Sequence, residues 1–303
     1  MPIYKVILLA IVQGLAELLP VSSSAHVVVA ERLMGLDPSL PQMTLLLVML
    51  HTGTMFAVIA YFWKQWRQSY FASADAFKRV AVRLAHATAL TGVFGYALIK
   101  AIEMTAFKGH SKAEIEMLFG RLDLIAPALA CAGIMILFAG LREPKKDAAT
   151  TAYAATTSLT RRPTDSVTMR QAGWIGLAQA LALPFRGLSR SGATISVGML
   201  AGATKQRAER FSFALAVIIT PAAIVRETVR VLHQTRDAAV AGVPSNLHDT
   251  VAKSLLGAAF SFLAGLVALR WLSNWLENGR WYLFGIYCLL ASAAVFYLHA
   301  RGF

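Results

Sequence analysis

The stretch that decides the fold is Gln13-Gly14-Leu15-Ala16-Glu17-Leu18-Leu19-Pro20-Val21-Ser22-Ser23-Ser24-Ala25-His26. It interrupts an apolar N-terminal region, 3–19. Gln13 and Glu17 are four apart and share one face of a helix. Pro20 stops that helix. Ser22, Ser23, Ser24 and His26 follow before a second apolar segment at 27–34. A carboxylate, hydroxyls and an imidazole are costly to bury in a membrane, so they are read as functional.

A second break lies far downstream. Gly187-Leu188-Ser189-Arg190-Ser191-Gly192-Ala193-Thr194 sits between the apolar runs 174–183 and 195–201. The first break offers an acid and nucleophiles, the second a cation. Together they are the parts of a phosphate site.

Working outward, the chain has 303 residues, of which 57% are hydrophobic and only 15% charged. That composition is one of a polytopic helical membrane protein. No polar stretch is long enough for a second domain, so residues 1–303 are expected to form a single membrane domain. The net charge of +13 does not mark a nucleic-acid binder, because the basic residues sit mainly in short loops between apolar runs. Cys131 and Cys288 lie in apolar runs and are read as small core residues. Neither a disulfide framework nor zinc spacing is present. The N-terminus lacks a cleavage signal and is expected to be mature protein.

Two short segments flank the first polar turn, which reads as a re-entrant helix–loop–helix. Such non-helical backbone is tolerated at membrane depth only where it is buried in protein or lines a cavity. Spans are expected at 43–63, 84–102 and 122–141. A polar linker with basic ends covers 142–170. The segments 172–183 and 194–203 form the second broken pair, and spans at 211–231, 251–272 and 281–299 complete the chain. The order is thus a broken pair and three spans, twice, with repeats at 1–141 and 171–303. Gly14-Leu15-Ala16-Glu17 echoes Gly176-Leu177-Ala178-Gln179. Three spans per repeat force the second repeat to start from the opposite side. The expected fold is therefore all-α, an inverted-topology repeat of six transmembrane helices plus two re-entrant elements. Trp271, Trp275, Trp281 and Tyr282 read as an interfacial aromatic belt.

Basic residues set the orientation. Lys64, Arg67, Lys78, Arg79, Arg83, Arg142, Lys145, Lys146, Arg161, Arg162, Arg170, Lys205, Arg207 and Arg210 fall on one side. Glu103, Glu114 and Glu116 fall on the other. The basic side is expected to be cytoplasmic, and the first broken pair then enters from outside.

Arg190 in a Ser/Gly-rich turn suits a diphosphate, because guanidinium matches phosphate oxygens bidentately. Gly187 and Gly192 admit close backbone approach, and a helix starting near Thr194 would aim its positive end at the anion. Glu17 could hold Mg²⁺ with substrate oxygens or act as a general base. Gln13 can coordinate or donate but cannot be a base. Ser23 and His26 are the two nucleophile candidates, while Ser22 and Ser24 suit a turn or cap. Gln13, Ser22, Ser24, Ser189, Ser191, Gly192 and Thr194 make up the substrate-binding set. His51 and Thr54 are placed as support from mid-span. His86, His110, His233, His248 and His299 show no ligand spacing.

The chain resembles the bacterial undecaprenyl-diphosphate phosphatase family (BacA/UppP, the bacitracin-resistance proteins) over nearly its whole length. The family's first motif, (E/Q)xxxE then PVSSxxH, is met by Gln13, Glu17 and Pro20-Val21-Ser22-Ser23-Ser24-Ala25-His26. The second, PGxSRSGxT, is met from Gly187 to Thr194, and Gly53-Thr54 matches a further Gly-Thr. The resemblance implies an integral membrane hydrolase that cleaves undecaprenyl diphosphate to undecaprenyl phosphate and phosphate, assisted by a divalent metal, Mg²⁺ with Ca²⁺ as alternative. It implies a role in recycling the lipid carrier for peptidoglycan synthesis, hence cell shape and antibiotic resistance. Bacitracin would compete indirectly by sequestering the substrate. It places the protein in the bacterial inner membrane among membrane lipids, with the site open to the periplasmic side, and leaves homo-oligomerisation open. Carried across, Glu17 with Gln13 serves metal or base roles, Ser23 or His26 is the nucleophile, and Arg190 the clamp. Two departures stand out. Gln13 occupies a position where many members have Glu, and Arg186 replaces the Pro before Gly187, adding a cation or facing headgroups. The type-2 phosphatidic acid phosphatases also use Ser, Arg and His, but no His follows Arg190 before His233. The competing reading is a polyprenyl-phosphate flippase, since inverted repeats with broken helices are transporter architecture.

Overall fold

A computed structural model describes residues 1–36, 41–106, 121–142, 166–240, 247–277 and 280–302. Among them lie ten helices and no strand. In chain order they are α1 (Ile3–Leu18), α2 (Ser23–Leu33), α3 (Pro41–Ser69), α4 (Ala74–Ala106), α5 (Leu122–Leu141), α6 (Met169–Ala182), α7 (Arg190–Leu200), α8 (Lys205–Val240), α9 (Leu247–Glu277) and α10 (Trp281–Ala300). Six of these, α3, α4, α5, α8, α9 and α10, are long and apolar enough to cross a membrane. Their outer faces carry exposed large apolar side chains, such as Val93, Tyr96, Ile134, Leu263 and Leu290. Water would not tolerate that much contiguous apolar surface. The protein is an all-α, multi-pass membrane protein.

The other four helices form two hairpins. Lys5 Nζ, near the start of α1, donates to the Met34 carbonyl just beyond α2 at 2.6 Å. Gln171 Nε2, near the start of α6, donates to the Ala201 carbonyl just beyond α7 at 3.3 Å. Each pair therefore returns to the end at which it began. At 16 residues for α1 and 14 for α6, the longer arms reach only about 24 and 21 Å. Both fall short of a hydrocarbon core of about 30 Å.

Each hairpin is built into the opposite half of the chain. α1 packs on α9 and α6 on α4, while α5 packs on α10 and α3 on α8. The glycines of the echoed tetrapeptides make these contacts. A Cβ on Gly14 would lie 2.7 Å from the Ser261 carbonyl of α9, and one on Gly176 would lie 2.5 Å from the Ala87 carbonyl of α4. Thr91 of α4 adds a hydrogen bond to the Gly176 carbonyl at 2.9 Å. The largest buried cluster joins Phe62, Phe211, Phe213, Ile125, Ile136 and Trp281 from both halves around the hairpin tips.

Several expectations are corrected. α2 begins at Ser23 rather than at residue 27, and α7 at Arg190 rather than near Thr194. The cause is the same in both. Ser22 (φ 67°) and Ser189 (φ 54°) take left-handed backbone just before the first turn. Apolarity could not reveal these starts, because their first turns are polar. α6 starts at Met169, so Arg170 is helical, with a capping box between Thr168 and Gln171. Most of the linker, residues 143–165, lies outside the described residues, as do Lys145, Lys146, Arg161, Arg162, His110, Glu114 and Glu116. Trp281 does not belong to an interfacial belt. It is fully buried and donates from Nε1 to Ser196 Oγ at 3.1 Å, because the indole N–H finds a buried acceptor on α7. Trp271 is exposed, and the side chain of Trp275 is outside the described set. Cys288 is buried, but Cys131 is exposed on the outer face of α5 and is not a core residue.

Candidate active site

The two hairpin tips meet. Glu17 lies in the last turn of α1, and its carboxylate is touched from both halves of the chain. Arg190 Nη2 donates to Glu17 Oε1 at 2.7 Å. Ser23 Oγ donates to Glu17 Oε2 at 2.5 Å, and Gln13 Nε2 donates to the same oxygen at 3.2 Å. Ser191 Oγ donates to the Leu19 carbonyl at 3.2 Å, fastening one tip to the other. Ser23 and Arg190 are each the first helical residue after a left-handed serine. They are thus equivalent positions in the two hairpins, and both helix N-termini, with their partial positive charge, converge on one carboxylate.

His51 of α3 supports this cluster. Its Nε2 is 3.7 Å from Glu17 Oε2. Its Nδ1 is 2.8 Å from the Leu47 carbonyl. A carbonyl only accepts, so Nδ1 carries a hydrogen, which fixes the ring with Nε2 toward the Glu17 carboxylate. Thr54 Oγ1 donates to the His51 carbonyl at 2.9 Å. A small cavity of ≈ 20 Å³ opens here, lined by Glu17, Leu18, His51, Thr54, Met55, Val58, Arg190, Ala216, Val217 and Thr220. Arg190 Nη1 is buried without a hydrogen-bond partner among the described residues.

Other expected site residues are placed differently. Among the described residues His26 makes no hydrogen bond or ion pair with Glu17 or with the Ser23 hydroxyl. Its Nδ1 donates to the Ser22 carbonyl at 2.8 Å, and its Nε2 accepts from the Tyr287 hydroxyl at 2.6 Å, with the two rings stacked. Ser22 and Ser24 pair with each other at 3.3 Å. Ser189 caps α7 by accepting from the Gly192 N–H at 3.2 Å, so that N–H is already spent. Thr194 is buried, donating to the Arg190 carbonyl at 2.8 Å and pairing with Ser212 at 2.5 Å. Gly187 has φ 110°, and a Cβ there would strike the Ile125 carbonyl at 2.5 Å. The glycine thus lets the turn lie on α5. Arg186 is exposed, stands within electrostatic range of Glu31 on α2, and does not line the cavity.

The donor set bears on a metal. Among the described residues no group of three His, Cys, Asp or Glu could cage an ion. One carboxylate, the Gln13 amide and the substrate's own oxygens would suit Mg²⁺, which is commonly held by one or two carboxylates plus phosphates.

Sequence reading missed Tyr287 and Thr220. Tyr287 lies in an ordinary apolar span and gave no signal. Thr220 precedes Pro221 in mid-span, a polar interruption of the same kind as His51-Thr52-Gly53-Thr54.

The fold and these contacts define a polytopic membrane protein with a carboxylate–hydroxyl–guanidinium centre between two interlocked hairpins. The chain belongs to the family described as "Bacitracin resistance protein BacA", which it matches over residues 6–294. It is 52% identical over 295 residues to "Undecaprenyl-diphosphatase 2" of Acinetobacter baylyi, covering 97% of each chain. It is 33% identical over 301 residues to "Undecaprenyl-diphosphatase 2" of Burkholderia thailandensis, covering 96% of this chain and 95% of that one. A Burkholderia pseudomallei protein named "Undecaprenyl-diphosphatase 1" is similar at 33% over the same length.

Proposed function

We propose that this chain hydrolyses undecaprenyl diphosphate to undecaprenyl phosphate and phosphate, returning the lipid carrier to cell-wall synthesis. The observation that carries this reading is the Glu17 carboxylate, held at once by the Ser23 hydroxyl at 2.5 Å and the Arg190 guanidinium at 2.7 Å. The names of its relatives agree with it.

In this mechanism Arg190 leaves Glu17 to pair with the terminal phosphate, and the freed carboxylate takes the Ser23 proton. Ser23 Oγ attacks the terminal phosphorus. The bond from phosphorus to the bridging oxygen breaks, and undecaprenyl phosphate departs with that electron pair. Glu17 passes the Ser23 proton to the departing undecaprenyl phosphate and is ionised again; water then attacks phosphoserine, gives a proton to Glu17, and frees phosphate as that proton returns to Ser23 Oγ. His26 has both ring nitrogens occupied, which favours Ser23 as nucleophile. Its role is to hold the Ser22 turn that presents Ser23. Glu17 with Gln13 would hold a divalent cation, Mg²⁺ or Ca²⁺, which when bound neutralises phosphate charge.

The two halves act as inverted repeats in one membrane domain. The α1–α2 hairpin enters from outside and the α6–α7 hairpin from the cytoplasm of a bacterial inner membrane, so the site opens toward the periplasm. Lys64 and Arg67 near the end of α3, Lys78 and Arg79 near the start of α4, and Arg170, Lys205 and Arg207 at the starts of α6 and α8 support this orientation. The repeated hairpins also suit a flippase, and catalysis in detergent separates the two.

The test is phosphate release from undecaprenyl diphosphate in detergent. Wild type should turn over with Mg²⁺ and lose activity in chelator. Ser23→Ala and Arg190→Ala should be inactive. A wild type that releases no phosphate, or an Arg190→Ala that keeps full turnover, would overturn the reading.

A further inference from the structure

The cavity beside Glu17 has a wall that neither motif supplies. Ala216, Val217 and Thr220, one turn of α8, line it together with Arg190. Threonines inside these helices usually return their hydroxyl to a carbonyl of the preceding turn. Thr52, Thr91, Thr105 and Thr228 do so, at 2.8 to 2.9 Å. Thr54, which also lines the cavity, spends its hydroxyl on the His51 carbonyl. Thr220 makes no such bond among the described residues. Pro221 follows it inside the helix. Proline has no N–H, so the Val217 carbonyl loses its usual helical donor.

Two donors are therefore unspent at one cavity: the Thr220 hydroxyl and the buried Arg190 Nη1. A buried guanidinium N–H without a partner costs free energy unless a ligand completes it. Both donors suit the oxygen of an anion. The Val217 carbonyl suits the P–OH of a phosphate that still carries a proton.

We propose that Thr220, with Arg190, forms the subsite for the terminal phosphate of the substrate and for the phosphate product. This rests on the phosphatase reading above. Thr220 is a substrate-contacting residue brought by α8, a helix outside both polar breaks. The resting cavity has room for little more than a water, ≈ 20 Å³, so phosphate entry requires Arg190 to swing off Glu17 and widen it.

The test uses the detergent-solubilised full chain and inorganic phosphate as a product inhibitor. Thr220→Val keeps the shape and removes the hydroxyl, Thr220→Ser keeps the hydroxyl, and Thr228→Val is a control on the same helix. For Thr220→Val, a roughly tenfold rise in both the inhibition constant of phosphate and the KM is expected, the loss of one hydrogen bond to a charged group. Thr220→Ser should restore both to within about twofold of wild type, and Thr228→Val should leave them unchanged. Melting temperatures report folding independently of either constant. A folded Thr220→Val with unchanged phosphate inhibition and KM overturns the subsite while leaving the phosphatase reading intact. Equal weakening in Thr220→Val and Thr220→Ser also overturns it, because shape rather than the hydroxyl would then matter. A wild type without turnover would instead sink the reading beneath it.

Discussion

Replacing Glu17 with glutamine should slow turnover and yet tighten binding of a substrate analogue. In the resting site Glu17 neutralises the cation that the substrate needs. At 2.7 Å and an effective dielectric of about 20, the gross attraction of the pair is about 6 kcal/mol. Both side chains are mostly buried, Arg190 at 25% and Glu17 at 14% exposure, so solvent screening is partial. Desolvation offsets much of the gross figure. A net competition of about 1.4 kcal/mol corresponds to tenfold in affinity. Glu17→Gln is near-isosteric and removes this competition. The assay is binding of a methylene-bridged, non-hydrolysable diphosphate analogue of the substrate, measured in chelator so that a cation held by Glu17 plays no part. The dissociation constant should fall about tenfold, while turnover with Mg²⁺ drops by roughly 10² to 10⁴ through loss of the base. A variant that binds the analogue as weakly as Arg190→Ala does would refute the reasoning. Glu17 would then be an attractive part of the binding site rather than a rival for Arg190.

Other outcomes follow from the contacts around that carboxylate. Ser23→Ala should abolish phosphoenzyme formation from radiolabelled substrate, whereas His26→Asn and Tyr287→Phe should lower its rate without abolishing it, since His26 bonds the Ser22 carbonyl and Tyr287 holds the His26 ring. In α3, a Cβ on Gly53 would lie 2.2 Å from the Ala258 carbonyl of α9. Gly53→Ala should therefore destabilise the protein by about 1–3 kcal/mol, seen as a lower melting temperature in detergent.

The sequence made the site legible because its residues are expensive where they sit. Glu17, Ser23 and Arg190 interrupt apolar runs, and the structure brings all three together. The hairpins were legible for a related reason, since each run is too short and too broken to span. Helix starts were less legible. Ser23 and Arg190 open their helices behind left-handed serines, a backbone property that hydrophobicity does not encode. His26 was readable as a functional residue type but not in its direction, because that depends on Tyr287, 261 positions away. Trp281 failed for the opposite reason. A tryptophan at the start of a span resembles an interfacial anchor, and only the buried Ser196 hydroxyl makes it a core residue.

The internal echo raises the question of why there is one site and not two. Glu17 and Gln179 occupy matching places in the tetrapeptides that begin at Gly14 and Gly176. Glu17 meets Arg190, the first residue of the other hairpin's second helix. For Gln179 the matching residue is Ser23, which carries no charge and is already spent on Glu17. Gln179 is accordingly neutral, almost fully buried, and both polar atoms of its amide lack partners among the described residues. A carboxylate there would be buried without a cation, which costs several kcal/mol unless the group stays protonated. Gln179→Glu should thus lower the melting temperature in detergent near neutral pH, and lowering the pH should recover part of the loss as the carboxyl is protonated. Gln179→Met fills a similar volume and removes two unsatisfied groups, so its stability should be unchanged or raised. A Gln179→Glu variant as stable as wild type at neutral pH would show that a cation or water reaches this position. The asymmetry between the two halves would then have another origin.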